Sequence, residues 1–423
     1  MNEVNGHKKN GLPKGWEWIE LGKLCEKISK IRTTGQDQER EFFYLDIGSI
    51  DNTENKIIGH KTYKWKDAPS RAQQIVQKDD VLFSTVRTYL KNIALVDSSL
   101  YNNQIASSGF TVLRGKKGLL HPKFLFYRTI SNDFLEPLNK LQTGSSYPAV
   151  RDKDVLSQEI PIPPYDVQQQ IVSKIEELFS ELDKSIEQLK TTQQQLKVYR
   201  QSVLKRAFEG KLTNENLQGG QLPKGWQGKK LKEVGNAIDP QPSHRTPPVS
   251  LDGIPYVSTK DFDFENDQID FSGARRVSKQ VLQEHLERYE LQEGDFVIGK
   301  IGTIGNPVRI VLPQNYTLSA NIVLIQPRTI NRKFLYYFFK TNHIEREFQK
   351  GSKATTQAAF GIQKVRELEI PYPQNDEQQL IVHEIESRLS VADKLEKTIT
   401  NSLQQAEALR QSILKKAFEG KLL

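Results

Sequence analysis

Apolar residues recur every seven positions through the middle of the chain, between Asp166 and Glu209. The repeating positions are Ile175, Leu182, Leu189, Leu196 and Val203. A second row of apolar positions beside these, in the first half of this stretch, consists of Leu178, Phe179 and Ile186. No Gly or Pro interrupts the stretch, and Gly210 is a natural helix stop. This sustained heptad pattern predicts a coiled-coil helix about 65 Å long at the α-helical rise.

The same pattern returns 210 residues later in the chain. The equivalent positions are Ile385, Ala392, Ile399, Ala406 and Ile413. Four pairs of segments share this offset: "LPKGW" at Leu12–Trp16 and Leu222–Trp226, "EIPIPP" at Glu159–Pro164 and "EIPYPQ" at Glu369–Gln374, "DVQQQIV" at Asp166–Val172 and "DEQQLIV" at Asp376–Val382, and "RQSVLKRAFEGKL" at Arg200–Leu212 and "RQSILKKAFEGKL" at Arg410–Leu422. A common offset of this size indicates an internal duplication whose unit is a whole domain plus a helix.

Each copy begins with a region of mixed pattern. Short β-rich runs such as Asp80–Val86 and Asp295–Ile301 are separated by Gly, Pro, Asn and Asp, and helical stretches follow from His121 and from Asn331. The predicted fold is therefore α+β, with two mixed α/β domains separated by two long helices. The predicted boundaries are 1–165 for the first mixed domain, 166–212 for the first helix, 213–375 for the second mixed domain and 376–423 for the second helix.

Two amphipathic helices in one chain must bury their apolar stripes, and we expect them to pair with each other. Side-chain size does not decide the direction, because Leu182 would face Ala406 in an antiparallel pair and Ala392 in a parallel one. Two similar units pack most readily about a pseudo-twofold axis, and an axis across the helices makes them antiparallel. An antiparallel coiled coil is therefore predicted.

Composition narrows the class of protein. The chain has 60 Lys and Arg against 52 Asp and Glu, a net charge of +8, which is compatible with a polyanionic partner but is shared by many unrelated proteins. Cys25 is the only cysteine, so no intrachain disulfide can form and a reducing cytoplasm is expected. No apolar run approaches the roughly 20 residues that span a bilayer, and "MNEVNGHKKNG" lacks the apolar core of a signal peptide. We expect a cytoplasmic protein without a membrane partner.

Three motifs that could suggest chemistry are better explained as structure. "IPPY" at Ile162–Tyr165 has Ile where a DNA amino-methyltransferase has Asn or Asp, and Ile cannot accept a hydrogen bond from the target amino group. "GKIGTIG" at Gly299–Gly305 lacks the GK[ST] of a phosphate loop, and "DFDFENDQID" at Asp261–Asp270 lacks the Gly and terminal Glu of a calcium loop. The seven histidines never take metal-ligand spacing, so no catalytic or metal site is predicted.

Polar segments just before each long helix are better candidates for function. Thr143–Asp154 and Lys350–Lys364 combine hydroxyl groups, basic residues and an aromatic residue beside Gly. Such residues suit phosphate and base-edge contacts, although a solvated loop would have the same composition. Their equivalent position and divergent content favour a functional role.

These segments resemble the specificity subunit of type I restriction–modification systems. The similarity rests on "LPKGW" with a Leu after it, on "GDF" and "DDV" before an apolar strand, on "IPIPPYDVQQQIV" and on the "RQSVLKRAFEGKL" ending. It covers the chain from Leu12 to Leu422. The resemblance implies two target-recognition domains, each followed by a long helix and each contacting one half of a bipartite target in double-stranded DNA. The paired helices would set the non-specific spacer. Because the mixed domains align poorly with each other, the target is expected to be asymmetric.

The resemblance also implies a chain that is not an enzyme. In this family two modification subunits dock on the specificity subunit, carry S-adenosylmethionine and methylate adenine, and in the full complex two restriction subunits use ATP and Mg to translocate and cut DNA. No cofactor is therefore expected in this chain. A coiled-coil scaffold that binds only proteins is the main alternative, but it explains neither the basic balance nor the two divergent domains. The missing methyltransferase motif opposes a free-standing DNA-modifying enzyme.

Polar, basic and aromatic side chains of both mixed domains are the candidate DNA contacts, because their chemistry suits phosphates and bases. In the first domain they are Arg32, Lys64, Arg71, Arg87, Lys91, Ser146, Tyr147 and Arg151. In the second domain they are His244, Arg245, Lys260, Arg276, Lys300, Lys353, Thr355 and Thr356.

Overall fold

A computed structural model describes residues 11–32, 35–144, 146–214, 223–301, 303–351 and 360–423. The candidate contacts Lys353, Thr355 and Thr356 lie outside the described residues. The chain divides into two compact units. The first consists of Met1–Leu189 with Asn401–Leu423, and the second is Lys190–Thr400.

The first mixed domain contains eleven strands and four short helices among its described residues. The strands are β1 (Glu17–Glu20), β2 (Glu41–Leu45), β3 (Ile50–Asp51), β4 (Lys56–Ile57), β5 (Lys61–Lys64), β6 (Ala72–Val76), β7 (Val81–Ser84), β8 (Ile93–Leu95), β9 (Gln104–Ser107), β10 (Phe110–Leu113) and β11 (Glu159–Ile162). The helices are α1 (Leu21–Leu24), α2 (Pro122–Ile130), α3 (Asn132–Leu141) and α4 (Asp152–Leu156), and the long helix α5 (Tyr165–Phe208) follows. A four-stranded sheet has the order β5-β2-β9-β6, and a three-stranded sheet has the order β10-β7-β8.

The second mixed domain repeats this plan with a different sheet arrangement. Its strands are β12 (Gln227–Lys230), β13 (Gly235–Ile238), β14 (Ile254–Val257), β15 (Phe262–Asp263), β16 (Gln268–Ile269), β17 (Arg275–Val277), β18 (Phe296–Gly299), β19 (Gly305–Arg309), β20 (Thr317–Leu318), β21 (Ile322–Pro327) and β22 (Glu369–Tyr372). Its helices are α6 (Leu231–Val234), α7 (Lys279–Leu286), α8 (Arg332–Phe339), α9 (Asn342–Gly351) and α10 (Ile362–Arg366), and α11 (Asn375–Phe418) follows. The sheets have the orders β13-β21-β18-β19 and β17-β14-β20.

The duplicated "AFEGKL" segment is a helix C-cap. Gly210 has a φ of +72°, its N–H donates to the carbonyl of Ala207 at 3.0 Å, and the N–H of Lys211 donates to that of Arg206 at 2.8 Å. This pair of bonds is the Schellman motif, in which the left-handed position favours Gly. Gly420 has a φ of +70° and closes α11 with the same two bonds. The repeated sequence therefore encodes the point where each 44-residue helix ends.

In the first unit, the start of α5 pairs with the end of α11. Arg410 forms a salt bridge with Asp183, and its guanidinium lies 4.7 Å from the centroid of the Phe179 ring. Nearer the start of α5, Ile171 lines the same small cavity as Ala417. Because residue numbers rise along α5 while they fall along α11, the two segments are antiparallel.

The second unit has the matching arrangement with the helices exchanged. Arg200 near the end of α5 pairs with Asp393 at 2.6 Å and with Glu396 at 2.7 Å. Farther along the chain, the Thr213 hydroxyl donates to the Glu377 carboxylate at 3.0 Å. The helices are again antiparallel. The predicted α+β fold with two mixed domains and paired long helices is thus confirmed, and the antiparallel direction holds within each unit.

The predicted pairing positions differ in burial. Those with buried side chains are Ile175, Leu196, Val203, Ile385, Ala392, Ile399, Ala406 and Ile413, and those with half-buried side chains are Leu182 and Leu189. The core of the first unit includes Ile413 and Phe418 of α11, and the core of the second includes Val203 and Phe208 of α5. Each core is therefore completed by the end of the other repeat's helix.

The first glutamine of the duplicated "QQ" pair attaches each mixed domain to its own helix. The side-chain carbonyl of Gln168 accepts from the N–H of His121 at 2.9 Å, and its amide donates to the carbonyls of Leu119 and Pro163, both at 3.0 Å. Gln378 accepts from the N–H of Asn331 at 2.7 Å. Both glutamine side chains are buried, which explains the motif as structure.

The glutamine of "RQS" makes a second attachment, this time to the mixed domain of the other repeat. Gln201 donates to the carbonyl of Lys340 at 3.1 Å and accepts from the N–H of Asn342 at 3.1 Å. In the first unit, Gln411 accepts from the N–H of Asn132 at 3.1 Å. The end of each long helix is thereby fixed to the junction of two short helices.

Candidate nucleic-acid interface

Three of the predicted contacts come together just beyond the end of β7. The backbone N–H of Arg87 donates to the carbonyl of Pro148 at 2.7 Å, and its guanidinium donates to the carbonyl of Ser146 at 3.0 Å. The guanidinium also lies over the Tyr147 ring, 4.9 Å from its centroid. Since the Tyr147 side chain is 72% exposed, the structure assembles a cationic and aromatic cluster on the surface of the first unit.

Lys91 lies at the other end of the same turn, whose middle is the short 3₁₀ segment Thr88–Leu90. Its ammonium donates to the side-chain carbonyl of Asn132 at 3.1 Å, and partial burial lowers its pKa despite the attraction of Glu407. Arg87 and Lys91 have φ values of +49° and +54°, a left-handed conformation that is uncommon outside Gly. Within the part of the chain that the structure describes, neither cation forms a salt bridge.

Arg32 and Arg71 lie together at one end of the four-stranded sheet. The N–H of Ile31 donates to the carbonyl of Gln73 at 2.8 Å, which places Arg32 beside the start of β6. The carbonyl of Arg71 accepts from the N–H of Ser108 at 2.8 Å. Both arginine side chains are exposed, so this sheet end adds two cations to the surface.

Two further candidates in the first unit each form a salt bridge with a carboxylate. Lys64 pairs with Glu39 at 2.9 Å, and the hydrogen bonds from Lys66 and from Lys64 lower the pKa of the Glu39 carboxyl. Arg151 pairs with Asp154 at 2.9 Å, which raises the pKa of the Arg151 guanidinium. Exposed pairs of this kind contribute little to stability. Both cations can therefore exchange their carboxylate for a phosphate at small cost.

In the second unit, the loop from Asp239 to Arg245 carries the exposed candidates His244 and Arg245. Lys300 lies beneath this loop. Its side chain is only 9% exposed, and its ammonium pairs with the Asp239 carboxylate at 2.6 Å. The charge of Lys300 is thus directed at Asp239 rather than at solvent, and its assignment to DNA contact stays a prediction.

A buried hydrogen-bond chain holds the same loop from the other side. His285 of α7 bonds through Nε2 to the side-chain carbonyl of Gln241 and through Nδ1 to the hydroxyl of Thr317. Because that carbonyl can only accept, Nε2 carries the proton. The amide of Gln241 then donates to the carbonyl of Arg245 at 3.0 Å. Burial, with the nearby charge of Arg288, lowers the pKa of His285 to about 4, so the ring is neutral at physiological pH.

Arg276 lies on the edge strand β17, and Lys260 lies near the start of that strand. The guanidinium of Arg276 donates to the carbonyl of Gly253 at 2.9 Å, and the ammonium of Lys260 donates to that of Gly273 at 3.1 Å. Sequence reasoning missed the exposed Arg275, whose guanidinium donates to the carbonyl of Pro247 at 2.9 Å. The "RRV" run was the available signal, because two successive arginines on a strand charge both of its faces.

Two other classes of site are not found among the residues described. No group of three or more His, Cys, Asp or Glu is placed to hold a metal ion there. None of the helices there is both long and apolar enough to span a membrane. Cys25 is buried, which raises the pKa of its thiol to about 12.

Comparison with known proteins decides the family. The sequence profile described as "Type I restriction modification DNA specificity domain" matches residues 13–197 and again residues 223–405. The chain belongs to this type I DNA specificity family. The resemblance inferred from the duplicated motifs is thereby confirmed, and the two profile matches coincide with its two copies.

Relatives in this specificity family span most of the chain. The EcoDI specificity subunit of Escherichia coli is 25% identical over 97% of this chain and 89% of its own length. The EcoBI specificity subunit of Escherichia coli is 24% identical over 71% of this chain and 66% of its own length, so this alignment leaves about a third of EcoBI unmatched.

Solved structures of the family have a similar fold. A chain from work on the "complex assembly and conformational transition of the type I R-M system" is 28% identical, with a TM-score of 0.78 over 97% of this chain and 100% of that one. The HsdS subunit from Thermoanaerobacter tengcongensis is also 28% identical, with a TM-score of 0.61 over 99% of each chain. The chain is thus a specificity subunit in both sequence and fold.

Proposed function

We propose that each compact unit of this specificity subunit recognises one half of an asymmetric, bipartite DNA target. The observation that carries the proposal is that the units share their scaffold but differ at their exposed cations. The first unit presents the cluster of Arg87 and Tyr147, whereas the second presents the Asp239–Arg245 loop and the arginines of β17. Because each base pair has its own pattern of donors and acceptors in the major groove, different side chains select different bases.

The electrostatics of both units support contact with the phosphate backbone. Arg87 and Lys91 form no salt bridge among the described residues, and the guanidinium groups of Arg275 and Arg276 donate only to backbone carbonyls there. Cations that are fixed in place without being neutralised gain free energy when they replace counterions on DNA. We infer that these four residues position each unit on the duplex.

The long helices would set the spacer and bind the modification subunits. Both α5 and α11 run without a break for 44 residues, and the end of each helix completes the core of the other repeat's mixed domain. In the second unit, Val198 and Val391 leave 70% and 55% of their surface exposed on these helices, which suits a protein partner. We assign S-adenosylmethionine, ATP and Mg to the partner subunits and no catalytic step to this chain.

Mapping methylated adenines tests the recognition function. The chain is expressed with its modification subunits in a host that lacks them, and the methylated sites in the host DNA are sequenced. We expect one asymmetric bipartite motif. Exchange of residues 12–165 for the corresponding part of another family member should replace one half-site only. A motif that is unchanged by the exchange, or no motif at all, would refute the assignment.

A matched insertion tests the spacer. Seven residues of heptad pattern are inserted both after Leu189 and after Thr400, which lengthens the two helices equally. At 1.5 Å per residue the added length is about 10 Å, so the spacer should grow by about three base pairs. The control carries one heptad after Lys117, in an exposed turn. The hypothesis fails if the spacer keeps its length in the double insertion while methylation persists.

A further inference from the structure

The turn that joins β7 to β8 is held by side chains of other elements. The hydroxyl of Thr88 donates to the side-chain carbonyl of Asn139 at 2.5 Å and accepts from the amide of Gln142 at 2.6 Å. The carbonyl of Leu90 accepts from the side-chain amide of Asn52 at 2.9 Å. Since both ends of the turn also have left-handed backbone, its conformation is imposed by its surroundings, as is common at functional sites.

This fixed turn directs apolar groups outward. Tyr89 and Leu90 are 52% and 38% exposed, and Tyr147 of the neighbouring segment is 72% exposed. The Arg87 guanidinium covers one face of the Tyr147 ring. An exposed ring with an arginine plane against it is a flat surface with a positive charge. We call the residues Arg87, Tyr89, Leu90 and Tyr147 the aromatic turn.

The charges around the aromatic turn favour DNA over a protein as its partner. Lys91 closes the turn with an ammonium that has a neutral partner in Asn132. Backbone bonds extend from the turn to the exposed Arg71, because Thr85 donates to the carbonyl of Gly109 at 3.0 Å and the adjacent Ser108 donates to that of Arg71. Nucleobases stack on aromatic rings and on guanidinium planes, and apolar side chains can insert between base steps.

The sequence of the second unit offers no aromatic residue at the equivalent turn. The carbonyl of Thr85 accepts from the N–H of Val150 at 3.0 Å, as the carbonyl of Lys300 accepts from that of Phe360 at 3.0 Å, so the turn after β18 corresponds to the turn after β7. The chain between β18 and β19 reads "KIGTI", from Lys300 to Ile304, and contains no aromatic residue. Any distortion of DNA by aromatic side chains at this turn would therefore be confined to the first unit.

We propose that the aromatic turn stacks against a nucleobase of the first half-site and unstacks one base step there. This proposal rests on the proposed function, since it requires the first unit to contact DNA. The Tyr147 ring, fixed by Arg87, supplies the stacking face, and Tyr89 with Leu90 supplies the apolar edge. The second half-site keeps its stacking at the corresponding position. Recognition by the first unit then depends on how easily this base step is deformed, in addition to the contacts with the edges of the bases.

The test uses the full complex of the chain with its modification subunits and the target found by methylation mapping. Duplexes carry 2-aminopurine at successive positions of each half-site, excluding the methylated adenines and their immediate neighbours because a methyltransferase extrudes its target base, and fluorescence reports unstacking. We expect a rise on binding at one position of the first half-site and none in the second. Tyr147→Ala should abolish the rise and weaken binding by about tenfold to a hundredfold, whereas Tyr147→Phe keeps the ring and should retain both.

Two further arms separate stacking from a general loss of structure. A mismatch at the unstacked step lowers the cost of opening, so the unsubstituted complex should bind the mismatched first half-site more tightly, and Tyr147→Ala should lose this preference. Phe264→Ala removes an exposed aromatic residue of the second unit and should leave the fluorescence signal unchanged.

The outcomes distinguish the two proposals. Specific binding without any fluorescence rise in the first half-site would overturn the stacking proposal and leave the recognition function standing. Loss of modification subunits from the Tyr147→Ala complex, with DNA affinity of the free chain unchanged, would also overturn it, because the aromatic turn would then be a protein contact. Absence of specific DNA binding by the unsubstituted complex would refute the recognition function itself.

Discussion

Substitution of Gln168 by Met tests whether the duplicated glutamine attaches the mixed domain to its helix. The buried Gln168 side chain makes three hydrogen bonds, all to backbone groups of the first mixed domain or the strand-to-helix connection. Met is similar in length and unbranched, so it fills the space without replacing any bond. The N–H of His121 and the carbonyls of Leu119 and Pro163 would each lose a partner.

The structure gives a magnitude for this loss. A neutral hydrogen bond contributes about 1 kcal/mol net, so Gln168→Met should lower the free energy of unfolding of the first unit by about 3 kcal/mol. Gln378 makes two such bonds, to Asn331 and Pro373, and Gln378→Met should cost the second unit about 2 kcal/mol. Gln169 is exposed, so Gln169→Met is the matched control and should change little.

Hydrogen exchange measured by mass spectrometry locates the effect, because it reports local opening segment by segment. Peptides from α2 should lose protection in Gln168→Met, and peptides from α8 should lose it in Gln378→Met. Urea unfolding of each variant gives the free energies. Equal behaviour of Gln168→Met and Gln169→Met, or a larger loss for Gln378→Met than for Gln168→Met, would show that these bonds do not determine the attachment.

Two further predictions concern the backbone and pH. A Cβ at Gly420 would lie 2.3 Å from Cγ of Pro13 in addition to requiring a left-handed conformation, so Gly420→Ala should lower the melting temperature of the first unit. Gly118 also has a positive φ, but no atom would contact an added Cβ, so Gly118→Ala should lower the melting temperature less. A larger loss for Gly118→Ala than for Gly420→Ala would contradict the packing argument. His285 is neutral in the folded state because its pKa is lowered from 6.5 to about 4. The second unit should therefore lose stability as the pH falls from 6.5 toward 4, with urea midpoints as the measurement, and His285→Gln should remove most of this dependence.

The scaffold could be predicted from the sequence because its signals are local and repeated. Heptad spacing indicates which helix face is buried, and the Gly of "AFEGKL" indicates a left-handed C-cap. Both long helices and their ends could therefore be predicted. The antiparallel direction needed a symmetry argument, since Leu182 faces an alanine in either direction. What the sequence could not provide were the partners of Gln168, because Leu119 lies 49 residues earlier in the chain.

The candidate interface was predictable only as a set of residue types. The sequence suggests Arg87 and Ser146 as independent candidates, and their contact across 59 residues appears only in the fold. Lys300 has the same chemistry in the sequence as an exposed lysine, but its pairing with Asp239 across 61 residues directs it inward. Gln241 and His285 were missed because neither carries a charge pattern, and their role depends on a buried hydrogen-bond chain that only packing creates.

The way in which the helices hold the mixed domains has a consequence for how such proteins diversify. The glutamines of the long helices form hydrogen bonds with main-chain N–H and C=O groups of the mixed domains, as seen for Gln168, Gln201 and Gln411. None of these bonds requires a particular side chain in the domain that is held. Any non-proline residue offers the same N–H at such a position. The attachment therefore does not depend on the side chains of the attached domain. Evolution can exchange an entire DNA-binding domain while the helices that carry it stay the same.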